Sequence, residues 1–300
     1  DSRQIQSFYE IYCEKTGRSV SEMERNNIIK NREILGIPLI LHMTMALNIS
    51  IDEEDSIVDV YDRIFSLKDG GIYERCFKNL EENKLERYDD THWISLLKEP
   101  IHQISRDIAI WMFENNPNRA SIPQKEYRNI CGRVIKEQQI QRGESVGRDF
   151  LIGNYFKLVR HCEGVETEEL CFVHRSIYEY FVAETIFSSI ENALNELSNE
   201  SQKEFAGSIA QYLKKGELSQ NISQYLRHKL SKQYSALDSV KQKNFYWWWE
   251  SAINKMMDVG MFYYSKPVEH EADGVFMEVR CFMNLMEILR IVLGQIQRFV

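Results

Sequence analysis

Glycine and proline are scarce in this chain: 14 and 5 of 300 residues, about 6% together, against an average near ~12%. A sandwich or barrel reverses its chain many times at such residues, so the shortage points to helices. Long apolar runs are also missing. The best stretch, Cys281 to Gly294, is interrupted by Asn284, Glu287 and Arg290 and falls short of the ~18 residues of a membrane span. The first residues (Asp1-Ser2-Arg3-Gln4-Ile5) are charged and amphipathic, with no secretory signal pattern. Positive charge is in deficit: 37 Lys and Arg face 45 Asp and Glu, a net −8. That weighs against a protein whose main task is to hold a phosphate backbone, though it leaves room for a local basic face.

Several catalytic motifs are absent. The chain contains no Gly-Lys pair, and so no glycine-rich loop of the kind that cradles a triphosphate. It has no H-E-x-x-H, no G-x-S-x-G and no G-x-G-x-x-G, which removes the common signatures of zinc hydrolases, serine hydrolases and dinucleotide enzymes. Acidic side chains are abundant, but nothing in the sequence picks out a working carboxylate pair.

The rest of the composition is ordinary for a globular protein, with 43% apolar and 27% charged residues. The length suits roughly two domains, with more than one packed core. Six cysteines (Cys13, Cys76, Cys131, Cys162, Cys171, Cys281) are scattered along the chain, which reads as reduced thiols of a cytoplasmic protein. The chain starts at Asp1 and closes on an apolar segment ending in Phe299-Val300; both ends look cut, and an excerpt of a longer protein is expected.

Helical spacing runs through Ile5, Phe8, Tyr9 and Tyr12. A second helix is expected after Ser21, with Glu24 completing a capping box, until Gly36-Ile37-Pro38 breaks it. Pro38 suits the first turn of a new helix, where its missing N–H costs nothing, and Leu39 to Leu47 is apolar nearly all round, as in a buried helix. An acidic loop, Asp52 to Asp55, leads to a helix through Val58, Tyr61, Ile64 and Phe65. Residues 79–92 are polar and read as a linker or exposed helix end. Ile101, Ile104, Ile108, Trp111 and Met112 form a clear helical stripe that Asn115 to Asn118 stops. Ile122-Pro123 is expected to open a shorter helix through Tyr127, Ile130 and Val134, and a third would hold Phe150, Leu151 and Tyr155. Two strands, Phe156 to His161 and Leu170 to Val173, follow with Gly164 between them, then a long helix from Ser176. Three helices and a hairpin are the order of a winged helix. Beyond residue 190 only helical patterns occur. The expected fold class is mainly α, multi-helical, with a winged-helix domain carrying one short β-hairpin.

The most specific segment is Phe172-Val173-His174-Arg175-Ser176-Ile177-Tyr178-Glu179-Tyr180-Phe181-Val182-Ala183. Ser176 and Glu179 have the spacing of a capping box. His174 then lies at the mouth of a helix, where free N–H groups and the dipole favour anions. It could donate to a phosphate; equally, it could end a strand and bond a backbone carbonyl. His161, Cys162, Cys171 and His174 supply four possible zinc ligands on the hairpin, but adjacent strand residues point to opposite faces, and Cys162 and Cys171 read more simply as buried small apolar residues. Trp247, Trp248 and Trp249 step about 100° each and spread over about 200° of a helix. Those indoles cannot share one face, so the helix is either enclosed by neighbours or turned toward a partner; enclosure is the simpler expectation. Arg128, Arg133, Lys136, Arg142 and Arg148 lie near the would-be reading helix, mixed with Glu126, Glu137 and Glu144.

The segment 172–183 resembles the F-x-H-x-S-[FI]-x-E-[YF]-x-A signature that closes the winged-helix domain of NACHT proteins, members of the STAND signal-transduction ATPases, with its alanine one position later, at Ala183. Gly36-Ile37-Pro38-Leu39-Ile40-Leu41 resembles the proline element of the first helical domain after their ATPase core. Asp59-Val60-Tyr61 resembles the element that follows it, and Ile104 to Met112 the helix that opens the winged helix. The resemblance covers roughly residues 1–190, in order. It implies helical domain 1 over 1–90, a winged helix over 91–190 and helical domain 2 over 191–300. It also implies that Pro38 lies against the adenine and His174 contacts the β-phosphate of ADP. ADP or ATP, with Mg²⁺, would be bound mainly by an ATPase core upstream of Asp1, so this segment is expected to have no ATPase activity of its own. The implied partners are that core in cis and further copies of the protein on activation; the lack of long apolar runs argues against a membrane, and the charge balance weighs against nucleic acid. The implied setting is cytoplasmic signalling, innate immunity or antiviral defence. Two other readings remain: a winged-helix DNA-binding regulator with a helical sensing or dimerisation region, and a plain helical scaffold.

Overall fold

The computed structural model describes residues 2–17, 29–68, 71–75, 97–116, 118, 120–137, 156–161, 167–196, 216–240 and a few isolated positions elsewhere. Among these the chain is mainly α-helical with one small antiparallel sheet. It divides into two compact units: Asp1–His102 with Ile135–Phe150, and Gln103–Val134 with Leu151–Val300.

In the first unit, helix α1 (Ser2–Thr16) buries Ile5, Tyr9 and Cys13, one residue per turn on a single stripe. Its other stripe leaves Phe8 and Ile11 exposed. A short helix α2 (Arg32–Leu35) stops at Gly36. Helix α3 (Pro38–Leu47) starts with Pro38 in its first turn, as its fixed φ favours, and buries Ile40, Leu41, Met43, Thr44 and Met45. Asn48 ends it in the left-handed region (φ 56°), and the Ile49 amide reaches back to the Thr44 carbonyl at 2.9 Å. Asparagine tolerates that conformation better than other residues with a Cβ.

Helix α4 (Ile57–Ile64) carries a reciprocal capping box: Ser56 accepts from the Asp59 amide, and Asp59 accepts from the Ser56 amide. Arg63 ties this helix to the preceding loop through Asp55 and the Ser50 carbonyl. Val60, Tyr61 and Ile64 are fully buried, each side chain contributing about 1.5–3 kcal/mol where apolar. Tyr73 and His102 meet within this unit, phenol oxygen to Nδ1 at 2.9 Å.

In the second unit the order is helix α5 (Lys98–Asn115, of which Gln103 onward belongs here), strand β1 (Ser121–Pro123), helix α6 (Gln124–Glu137, of which the residues up to Val134 belong here), then strands β2 (Phe156–His161) and β3 (Thr167–Phe172). Strand order is β1-β3-β2, both pairs antiparallel, with Phe156 opposite Phe172 and Ser121 opposite Cys171. The hairpin of β2 and β3 follows the helices as expected; the expected third helix, with Phe150, Leu151 and Tyr155, falls outside the described residues.

One expectation is corrected here. Ile122-Pro123 does not open a helix: both residues lie in β1, and α6 begins at Gln124. The strand is recruited by distant partners. Ser121 Oγ donates to Glu169 at 2.7 Å and accepts from Asn116 Nδ2 at 2.8 Å, while Ile122 is fully buried. Pro123, with no N–H, is tolerated because β1 is an edge strand of the sheet.

Helix α7 (Arg175–Glu196) and helix α8 (Gln220–Ala236) complete the described elements. Their pairings, Glu179 with Asn221, Phe187 with Lys229, and Glu191 with Gln233, advance together along both helices, so the two run parallel. Asn284, 3% exposed, fastens the segment before α8: it accepts from the Leu218 amide at 3.1 Å and donates to the Leu213 and Gly216 carbonyls at 3.0 and 2.6 Å. A Cβ on Gly216 would lie 2.5 Å from the Phe113 ring. Trp247 is 56% exposed, which overturns the expectation of enclosure for that residue; Trp248 and Trp249, the linker 79–92 and the Ser21–Glu24 box lie outside the described residues.

Ser56→Ala removes one half of the α4 capping box. A loss of about 1 kcal/mol is expected, measured as a lower urea midpoint with an unchanged denaturant slope.

Candidate functional site

The chain leaves β3 at Phe172, bends through Val173 and His174, and enters α7 at Arg175. The Ile177 amide bonds the His174 carbonyl at 3.1 Å. His174 is therefore the residue that caps α7, and its side chain acts as the cap: Nδ1 accepts from the Ser176 amide at 3.2 Å and lies 2.6 Å from the Ser176 hydroxyl. This differs from the expected capping box on Ser176 and Glu179. Ser176 is a buried residue inside the first turn, and Glu179 points elsewhere.

The cap decides the tautomer. A backbone N–H can only donate, so the nitrogen that receives it carries a lone pair. In the neutral imidazole the proton then sits on Nε2. His174 is half-buried, and among the described residues no group engages Nε2. The ring thus uses one nitrogen to start the helix and presents the other as an N–H donor beside the helix N-terminus, whose field favours negative charge.

Pro38, the other expected contact, occupies the first position of α3 and is exposed. It belongs to the first unit and His174 to the second. A groove of about 370 Å³ in the first unit is lined by Tyr12, Thr16, Met45, Ala46, Asn48 and Arg75. It lies at the C-terminal end of α3, a helix length away from Pro38, so Pro38 takes no part in it.

Glu179 is the residue whose role local reasoning missed. It is 3% exposed, and its carboxylate accepts from the Ser219 hydroxyl at 3.0 Å, Asn221 Nδ2 at 2.8 Å and Arg175 Nε at 3.3 Å. Ser219 is in turn the N-cap of α8, accepting from the Ile222 amide at 3.2 Å. The Ser219-Gln220-Asn221 stretch reads as a helix start in sequence; its pairing with Glu179, some forty residues earlier, leaves no local trace.

Of the four possible zinc ligands, Cys162 and the His161 side chain lie outside the described residues. Cys171 is half-buried, more open than expected for a small apolar filler, with Sγ 3.9 Å from the Lys157 carbonyl. Burial pushes its thiol pKa up, Lys157 pulls it down less strongly, and Glu169 adds to the rise. On α6, Lys125, Arg128 and Lys136 are exposed, while Arg133 pairs with Asp107 at 2.9 Å; Arg142 and Arg148 lie outside the described residues. Comparison with protein-family models, curated proteins and solved structures finds no match to this chain.

Two outcomes follow from this geometry. His174→Ala should cost about 1 kcal/mol through the lost cap, whereas His174→Asn, itself a good capping residue, should stay within about 0.5 kcal/mol of wild type by urea unfolding. Cys171 should alkylate slowly with iodoacetamide at neutral pH, because the thiolate is the nucleophile. Its rate, followed by peptide mass spectrometry, should still be climbing above pH 9.

Proposed function

We propose that this chain is the regulatory segment of a NACHT-type STAND ATPase, lying downstream of the ATPase core, and that it holds the ADP-bound closed state. On this reading, residues 1–90 act as helical domain 1, 91–190 as the winged helix and 191–300 as helical domain 2. Pro38 packs against the adenine and His174 donates to the β-phosphate. The triphosphate cradle and the Mg²⁺ ligands belong to the core, so the segment itself does not hydrolyse ATP. Exchange of ADP for ATP removes a contact made in one state only, which biases the population toward an open, self-associating form.

The observation that carries this reading is the His174 ring: Nδ1 is taken by the helix it caps, and Nε2–H is left as a donor at a helix mouth. The Nε2–H of that tautomer is a donor that suits a phosphate oxygen. The sequence resemblance around Pro38 and His174 supports the same assignment.

The test uses the full-length protein. A hydrogen bond to a charged group is worth about 1.5–3 kcal/mol, so losing it should speed ADP release roughly ten- to a hundred-fold. His174→Asn removes the Nε2 donor and keeps a cap; it should show that faster release together with increased oligomer formation by light scattering. Unchanged release with unchanged assembly would overturn the reading. A DNA-binding regulator is the second reading, favoured by the winged-helix element order and by the exposed Lys125, Arg128 and Lys136. It would be recognised by salt-dependent duplex binding that the triple substitution to Glu abolishes.

A further inference from the structure

Glu179 joins two helices that are remote in sequence. One oxygen takes the Ser219 hydroxyl and Arg175 Nε; the other takes Asn221 Nδ2. Both Ser219 and Asn221 belong to the first turn of α8, so a side chain of α7 supplies the negative charge that an α8 N-terminus favours. The acid is 3% exposed, out of reach of solvent, and its donors are what keep a buried carboxylate in place. Five residues earlier on the same helix stands His174. Further along, Lys229 Nζ lies 5.0 Å from the Tyr180 ring and 5.7 Å from that of Phe187, and Gln233 donates to Glu191 at 3.3 Å.

We infer that Glu179 is a positioning residue that makes the His174-capped start of α7 and the start of α8 one cooperative unit, so that loosening at His174 is felt in α8. The inference about the junction stands on these contacts alone; its use in passing on a nucleotide signal rests on the function proposed above. Helix ends normally open independently and at low cost. Here the cap of α8 is spent partly on α7, so α8 cannot fray without uncovering the Glu179 carboxylate.

Asn221→Asp is the sharpest perturbation. It sets a second carboxylate against Glu179 in place of a donor, yet an acid in the first turn of α8 is favourable to that helix taken alone. A loss of protection there therefore reports the junction rather than helix propensity. Adding Glu179→Gln restores a donor and an acceptor with their roles reversed.

Amide hydrogen exchange on the full chain, read by mass spectrometry over 175–186 and 220–230, tests the proposal. Asn221→Asp should accelerate exchange in the first two turns of α8 by about tenfold or more, as expected for losing a charge-assisted bond, and Glu179→Gln/Asn221→Asp should recover most of it. His174→Ala should raise exchange in both helices on the wild-type junction but only in α7 when Asn221→Asp is present. Unchanged α8 exchange in Asn221→Asp, no recovery in the double variant, or equal spread from His174 with and without Asn221→Asp would each overturn the proposal. ADP release is measured on the same samples. If His174→Asn leaves release unaltered while the exchange pattern holds, the nucleotide reading fails and the junction stands.

Discussion

From Ser176 to Ala183 every residue of α7 is buried. Eight residues wind through more than two turns, so this stretch faces protein in every direction, and no polar side chain on it can turn to water. Each must find a partner or weaken the fold by about 1–3 kcal/mol. Ser176 meets His174. Glu179 meets α8. Tyr180 lies beneath the Lys229 ammonium. Burial pushes the Tyr178 hydroxyl well above the usual phenol range, which keeps it uncharged. The apolar members take the remaining directions, with Phe181 stacked on Phe172 of β3 at 5.9 Å and Thr185, two residues on, accepting from Arg106 of α5. Sheet, α5 and α8 are all arranged around this one helix.

That arrangement bears on the two readings of His174. Sealing a helix start inside protein and donating to a phosphate sound like rival roles for one ring. They are compatible, because they use opposite nitrogens. The cap fixes the tautomer, and the tautomer determines what the other nitrogen offers. A capping serine would keep its O–H to donate, but on the capping atom itself, whereas the imidazole carries its free N–H on a second atom across the ring from the cap.

The parts of the fold that were legible in sequence are those set by local periodicity and backbone chemistry. The stripes of α1, α4 and α5, the Pro38 start of α3 and the span of β2 all follow from residues within a turn or two of each other. The failures share a cause as well. Ile122-Pro123 looks like a helix start because proline suits one; it is a strand because Ser121 and Ile122 pair with β3, nearly fifty residues later. The serine-to-glutamate spacing at Ser176 and Glu179 matches a capping box, but histidine is not among the usual cap residues, and the glutamate is drawn away by donors from another helix. Trp247 shows the same limit from outside: spacing establishes that three indoles diverge, but not which one the neighbours leave uncovered. For the candidate site, sequence pointed to His174 through its neighbours, whereas the division of labour between its two nitrogens needed coordinates.

The parallel pairing of α7 with α8 has a consequence for how the chain is made. Glu179 and Asn221 are 42 residues apart, so the junction cannot close until that much more chain has left the ribosome. At about 5–20 residues per second, this is a delay of roughly 2–8 s. During it, the apolar flank of a finished α7 has no α8 to cover it. Glu179 stands on that same flank, and a carboxylate there stays hydrated until the α8 donors replace water. The carboxylate that ties the mature protein together therefore faces water for those seconds and gives up that water only when the junction closes.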